Sequence, residues 1–323
     1  MFGRNQVVNM INRSAENQSD RRRFLRSAGL GGLGVVGAAT MSSGAFAPVA
    51  AAEEAPSDGA ILNFALNLEY LEAQFYSYAV TGAGLPDKLT GGAGARGGVT
   101  GGRSVRFESK MVRQYAQEIA SDERAHVEFL RSALGSAAVA QPEIDLQNSF
   151  TAAAQAAGLV RDGEAFDPFA NEDNFLLAAY LFEDVGVSAY KGAAPLVSNK
   201  TYLEAAAGIL AAEAYHAANI RSALYSKDTG LLGTGLLGRD LKEASVKLSD
   251  ARDSLDGADD LDQGVVDENG RANIVPTDQF GVTYSRSAGQ VLNIVYLTNK
   301  EATSGGFFPR GVNGEINTSA ASG

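Results

Sequence analysis

Two short stretches, DERAHV at 122–127 and AEAYHA at 212–217, each place a Glu three residues before a His, and the 323-residue chain has only two histidines. Residues three apart share one face of an α-helix, so Glu123 with His126 and Glu213 with His216 become same-face pairs wherever the chain is helical. The surrounding text asks for helices. From Asp58, DGAILNFALNLEYLEAQFYSYAV repeats apolar residues at helical spacing (Leu62, Ala65, Leu68, Phe75, Ala79), which predicts a helix to about Val80. A glycine-rich loop follows, then a second helix over 105–134 that stops at Gly135. Between 136 and 170 the sequence offers one short helix near SFTAAAQAAG. A third long helix starts after Asn171, a suitable N-cap, and stops before Pro195. KTYLEAAAGILAAEAYHAANIRSALYS is the fourth, closing near Ser226.

Each of these helices is about 30 Å long or more, enough to bury a shared seam. The residues expected on that seam make one statement twice. The first helix carries Glu69 and, two turns on, Tyr76; the third carries Glu183 and, two turns on, Tyr190; the second and fourth carry Glu-x-x-His. Glu69 sits in LNLEYLEAQFY and Glu183 in the still more apolar LLAAYLFEDVG. Carboxylates in such settings are costly unless their charge is compensated, and a pair of divalent cations would compensate it.

A Glu from each of two helices plus Glu-x-x-His from the other two is the ligand pattern of the di-iron carboxylate bundles, and the chain resembles the ferritin-like superfamily. It is more closely similar to the group that includes the plant desiccation-related proteins and their bacterial relatives. That likeness rests on NFALNLEYLEAQFY, on the glycine-rich loop after the first helix, and on GQVLNIVYLTNK with GGFFPRGVNG. It spans about residues 58–318. The resemblance implies an all-α, ferritin-like four-helix bundle over 58–228, with a loop-rich C-terminal extension over 229–323 packing on it. It implies two metal ions, Fe or Mn, held by Glu69, Glu123, His126, Glu183, Glu213 and His216, with open positions for oxygen or water. Tyr76 and Tyr190 are candidates to hydrogen-bond ligand carboxylates. The first helix also offers Glu72, one turn beyond Glu69; Glu69 is taken because its spacing to Tyr76 repeats that of Glu183 to Tyr190. The flanking Asp122, Glu128 and Asp184 are expected to be surface charges.

Composition removes other chemistries. Without cysteine there is no disulfide, thiolate zinc site, iron–sulfur cluster or thiol nucleophile. A net charge of −11, with no basic patch beyond the first 26 residues, argues against nucleic acid as a partner. The body of the chain has no stretch apolar enough to predict a stable membrane span. Arg21, Arg22, Arg23, Phe24 and Leu25 precede a mildly apolar Gly/Ala run, which resembles a twin-arginine export signal over residues 1–52, cut after Ala50-Ala51-Ala52. Export to the periplasm or beyond would follow, and the mature chain would be still more acidic, since the first 52 residues carry six Arg and two acids.

In the tail, the acidic run DSLDGADDLDQGVVDENG does not follow the order of a helix-loop-helix calcium site and is read as a solvated turn. One helix is predicted over 287–297, and GGFFP is expected to cap an edge or opening. An extension of this size would hinder a storage shell while leaving smaller oligomers open. The function expected is an exported dimetal protein oxidising Fe(II), or consuming dioxygen or peroxide, in stress protection. The alternative is a non-catalytic desiccation or stress scaffold that binds partners through the same fold.

Overall fold

The computed structural model describes residues 56–227 and 240–322; the expected export signal lies outside them. Seven α-helices occur among the described residues: α1 (Asp58–Thr81), α2 (Lys110–Leu134), α3 (Asn148–Ala156), α4 (Glu172–Ala193), α5 (Lys200–Lys227), α6 (Leu241–Asp256) and α7 (Ala288–Tyr296). The bundle is α1, α2, α4 and α5, with α1 packed tightly on α2 and α4 on α5. No helix of the described residues is long and apolar enough to cross a membrane.

Local chemistry accounts for the boundaries. Ser57 caps α1 by accepting from the Ala60 N–H, and Gly82 ends it in the left-handed conformation at φ 76°. Asn171 caps α4 as expected, accepting from the Asn174 N–H at 2.8 Å. Ser287 opens α7 with a reciprocal capping box to Gln290. The second helix, expected from 105, begins only at Lys110. The Val105 N–H is spent on Ala79 O at 2.8 Å, and the N–H groups of Glu108 and Ser109 bond Glu172 Oε2 at 2.8 and 2.7 Å, so tertiary hydrogen bonds hold this approach out of the helix.

Helix α4 is largely apolar and is buried from Glu172 to Tyr190 apart from Asp173, its few buried acids each meeting a partner from another element. It forms the axis of the molecule, with α1 and α5 on one part of its circumference and α6 and α7 on another. Phe75, Phe150, Phe182 and Phe307 form a continuous aromatic cluster, with ring centroids 4.9 to 5.7 Å apart, that joins α1, α3, α4 and the tail.

The tail corrects two expectations. Residues 241 to 256, where the sequence shows no clear helical period, form α6, and part of the acidic run expected to be a solvated turn is buried. Asp184, expected at the surface, is buried as well. Arg221, Arg252 and Arg286, each at most 2% exposed, meet Asp184, Asp256 and Asp262. Arg221 bonds Asp184 at 2.7 Å, Arg252 bridges Asp184 at 3.2 Å and Asp262 at 2.6 Å, and Arg286 holds Asp256 at 2.5 Å and also Asp262. Buried charges are tolerated when paired and hydrogen-bonded. Here the network fastens α5, α6 and the following loops to α4.

A second fastening uses Asn313 of the GVNG stretch. Its side chain donates to Ala95 O at 2.9 Å and Ala140 O at 2.8 Å and accepts from the Ala95 N–H at 3.2 Å. Its backbone N–H and carbonyl both bond the Asn67 amide on α1. The glycine-rich loop is thereby pinned beside residues 138–141, and a short parallel pair, β1 (Val99–Thr100) with β2 (Ile144–Asp145), continues the contact.

Candidate metal centre

The four bundle helices bring all six predicted ligand side chains to one place. Glu69 from α1, Glu123 and His126 from α2, and Glu213 from α5 offer ligand atoms within 4.8 Å of one another. Glu183 from α4 with Glu213 and His216 from α5 do the same. Glu213 is common to both groups. Glu123 also spans them, with Oε2 at 3.6 Å from His126 Nδ1 and Oε1 at 3.1 Å from His216 Nδ1. The two imidazole rings lie 6.2 Å apart. Glu123 and Glu213 therefore sit where they could bridge two ions, with Glu69 and Glu183 as terminal carboxylates.

All four ligand carboxylates are at most 1% exposed, in a shell of Leu, Ala, Phe and Tyr. Both Glu123 oxygens, both Glu213 oxygens, Glu183 Oε2 and His216 Nδ1 have no hydrogen-bond partner. The 3.1 Å approach of His216 Nδ1 to Glu123 is thus a contact of charges without hydrogen-bond alignment. Buried acceptors left unpaired cost about 1–3 kcal/mol each, more when charged. The imidazoles, 3.1 to 3.7 Å from Glu123, Glu183 and Glu213, offset part of this charge as ion pairs but give these atoms no hydrogen bond. The donor set, carboxylate oxygen with one Nδ1 per half, fits two Fe or Mn ions, whose charge would offset four carboxylates.

The titration behaviour has the same cause. Burial raises Glu69, Glu183 and Glu213 from 4.5 to about 8, with Glu123 adding repulsion in each case. Glu123 feels burial too, yet the two imidazoles beside it outweigh that and lower it to about 2. Burial opposes the charged form of His216, but the surrounding carboxylates raise it to about 10, and His126 moves up in the same way.

Tyr76 and Tyr190 do reach ligand carboxylates, but across the bundle. Tyr76 on α1 donates to Glu183 on α4, and Tyr190 on α4 donates to Glu69 on α1. Each half thus orients the terminal carboxylate of the other. Between Glu69 and Glu72, it is Glu69 that joins the cluster, with Oε2 at 3.2 Å from His126 Nδ1. Glu72 is buried alongside, and burial together with Glu213 and the other carboxylates pushes it well above its usual range.

Asp122 departs from the surface role expected of it. Although its side chain is 45% exposed, Oδ2 lies 3.1 Å from His216 Nε2. That contact favours a proton on Nε2 and leaves Nδ1 free as a ligand, the usual arrangement behind a metal-bound imidazole. The signal was present in the sequence: an acid immediately precedes Glu123, while Ala212 precedes Glu213. Glu128 is a surface charge as expected, 48% exposed and paired with Arg124.

A family described as "Ferritin-like domain" matches residues 57–226. The chain is 29% identical over 270 residues to the desiccation-related protein PCC13-62 of Craterostigma plantagineum, covering 80% of this chain and 84% of that one. It is 26% identical over 264 residues to the ferritin-like catalase Nec2 of Nesocodon mauritianus, covering 79% and 83%. No solved structure matches.

Proposed function

The chain belongs to the ferritin-like domain family, and from that premise we propose that it is an exported protein that would hold two ions, Fe or Mn, and consume peroxide or dioxygen in stress protection. The observation that carries this reading is the convergence of carboxylates and imidazoles from four helices, with buried oxygens of Glu123, Glu183 and Glu213 and Nδ1 of His216 making no hydrogen bond. When bound, the ions supply Lewis-acid and one-electron redox chemistry at open coordination positions. Everything else is done by the chain. Glu123 and Glu213 hold both positions together, Tyr76 and Tyr190 fix the orientation of Glu183 and Glu69, and Asp122 holds His216 with Nδ1 inward. The apolar wall excludes bulk water, which strengthens each of these electrostatic contacts. The relative named a catalase supports peroxide as the substrate, and the one named desiccation-related supports a protective role. Export by the twin-arginine route is supported by Arg21–Arg23 and the run after them.

The test is elemental analysis of protein purified from the exported fraction, beside a His126→Ala/His216→Ala double variant. Two equivalents of Fe or Mn, absent from the variant, are expected. No metal in either would leave the family's scaffold reading, in which the fold serves partner binding without catalysis.

A further inference from the structure

Glu72 and Gly186 are partners in the internal repeat: the step along the chain that carries Glu69 to Glu183 and Tyr76 to Tyr190 carries Glu72 to Gly186. At this pair the repeat sets a long acid on α1 against no side chain on α4. The two are in contact. A Cβ placed on Gly186 would stand 2.7 Å from Glu213 Oε2 and in ordinary contact, 3.5 Å, with Glu72 Oε1, so the missing side chain is what admits the Glu213 carboxylate beside Glu72.

Gly186 and Glu72 also line a second space. Leu68 and Leu71 of α1, Leu181 and Val185 of α4, and Ile294 and Phe307 of the C-terminal extension line a cavity of about 20 Å³. Each of these six residues is less than a tenth exposed. The volume suits one water-sized molecule, but a buried water needs two to four polar partners, and Glu72 is the only polar side chain in the lining. A space of this kind stays dry and accepts small apolar guests. Its roof comes from the extension, beyond the residues that match the family.

We propose that this cavity is a holding site for a small apolar diatomic molecule, dioxygen by its chemistry, separated from the ligand Glu213 only by Gly186. The inference rests on the dimetal reading above and deepens it. Dioxygen would be present as an oxidant arriving or as the product of peroxide dismutation leaving, and either way the extension gives an apolar compartment apart from the polar side of the centre at Asp122.

Xenon is the probe, applied under pressure to crystals of the full mature chain, metal-loaded and metal-stripped. A xenon peak between Ile294, Val185 and Glu72 is expected in both. Ile294→Phe should remove the peak, keep two metals bound and lower turnover several-fold. Ile294→Ala, which opens the space with no risk of overpacking, should raise xenon occupancy. Two bound metals with no xenon, or with ordered water on Glu72 in its place, would overturn the proposal, as would unchanged turnover in Ile294→Phe with xenon excluded. Xenon present in a chain that binds no metal would support the cavity and overturn the dimetal reading.

Discussion

Asp122 separates the two histidines chemically. It holds Nε2 of His216, whereas the equivalent position in the other motif is Ala212, which offers no carboxylate for His126. Asp122→Ala should therefore weaken one of two metal equivalents by about 10–100-fold, seen as two distinct steps in a titration where the wild type shows closer affinities. Equal weakening of both equivalents would contradict this role. The same residues set the pH response of the metal-free protein. Glu69, Glu183 and Glu213 sit near 8 in the fold against 4.5 free, so the folded state keeps protons that the unfolded chain has already released. Their contribution is full below pH 4.5 and is lost as pH rises through 8; that of His216, raised from 6.5 to about 10, is full below pH 6.5 and is lost as pH rises through 10. Glu123, lowered to about 2, works in the opposite sense, and its contribution disappears as pH falls from 4.5 toward 2. The melting temperature of chelated protein should thus fall between pH 4.5 and 9, and the gap to metal-loaded protein should widen. A gap independent of pH would mean that these carboxylates do not exchange protons for metal.

At the scale of elements, the long helices were legible because their apolar spacing and caps are local: Asn171 before α4, Ser287 before α7 and the stop ahead of Pro195 all stand in the text. The helix α6 was not. Its buried face is Leu241, Ala244, Ser245, Leu248, Ser249 and Arg252, too polar to stand out until Arg252 is seen beside Asp184 and Asp262. That network gives a sharp expectation. Arg252→Met leaves Asp262 with Arg286 but takes one cation from Asp184, and should cost about 3–5 kcal/mol in denaturant unfolding. Replacing the whole network by apolar residues should cost far less, and an equal loss in both would argue against a role for uncompensated charge. Asn313 likewise links elements that no local pattern relates. Asn313→Ala removes partners from Ala95 and Ala140 and should cost roughly 1–3 kcal/mol, with faster amide exchange confined to residues 91–98 and 138–141.

Over the whole molecule, the duplication is an approximate two-fold arrangement that the reciprocal bonds of Tyr76 and Tyr190 obey. It is broken where Glu72 faces Gly186 and where Asp122 has no counterpart. The four long helices, the ferritin-like class and the six carboxylate and imidazole side chains that converge were legible from sequence alone, because each depends on residue type at a spacing that a single helix imposes. Sequence could not show which carboxylate a Tyr would meet, whether an aspartate in an acidic run would face water or an arginine, or that the extension would line a cavity beside the candidate metal centre. Those depend on which helix faces which and on where distant segments come to rest, and only packing of the whole chain decides them.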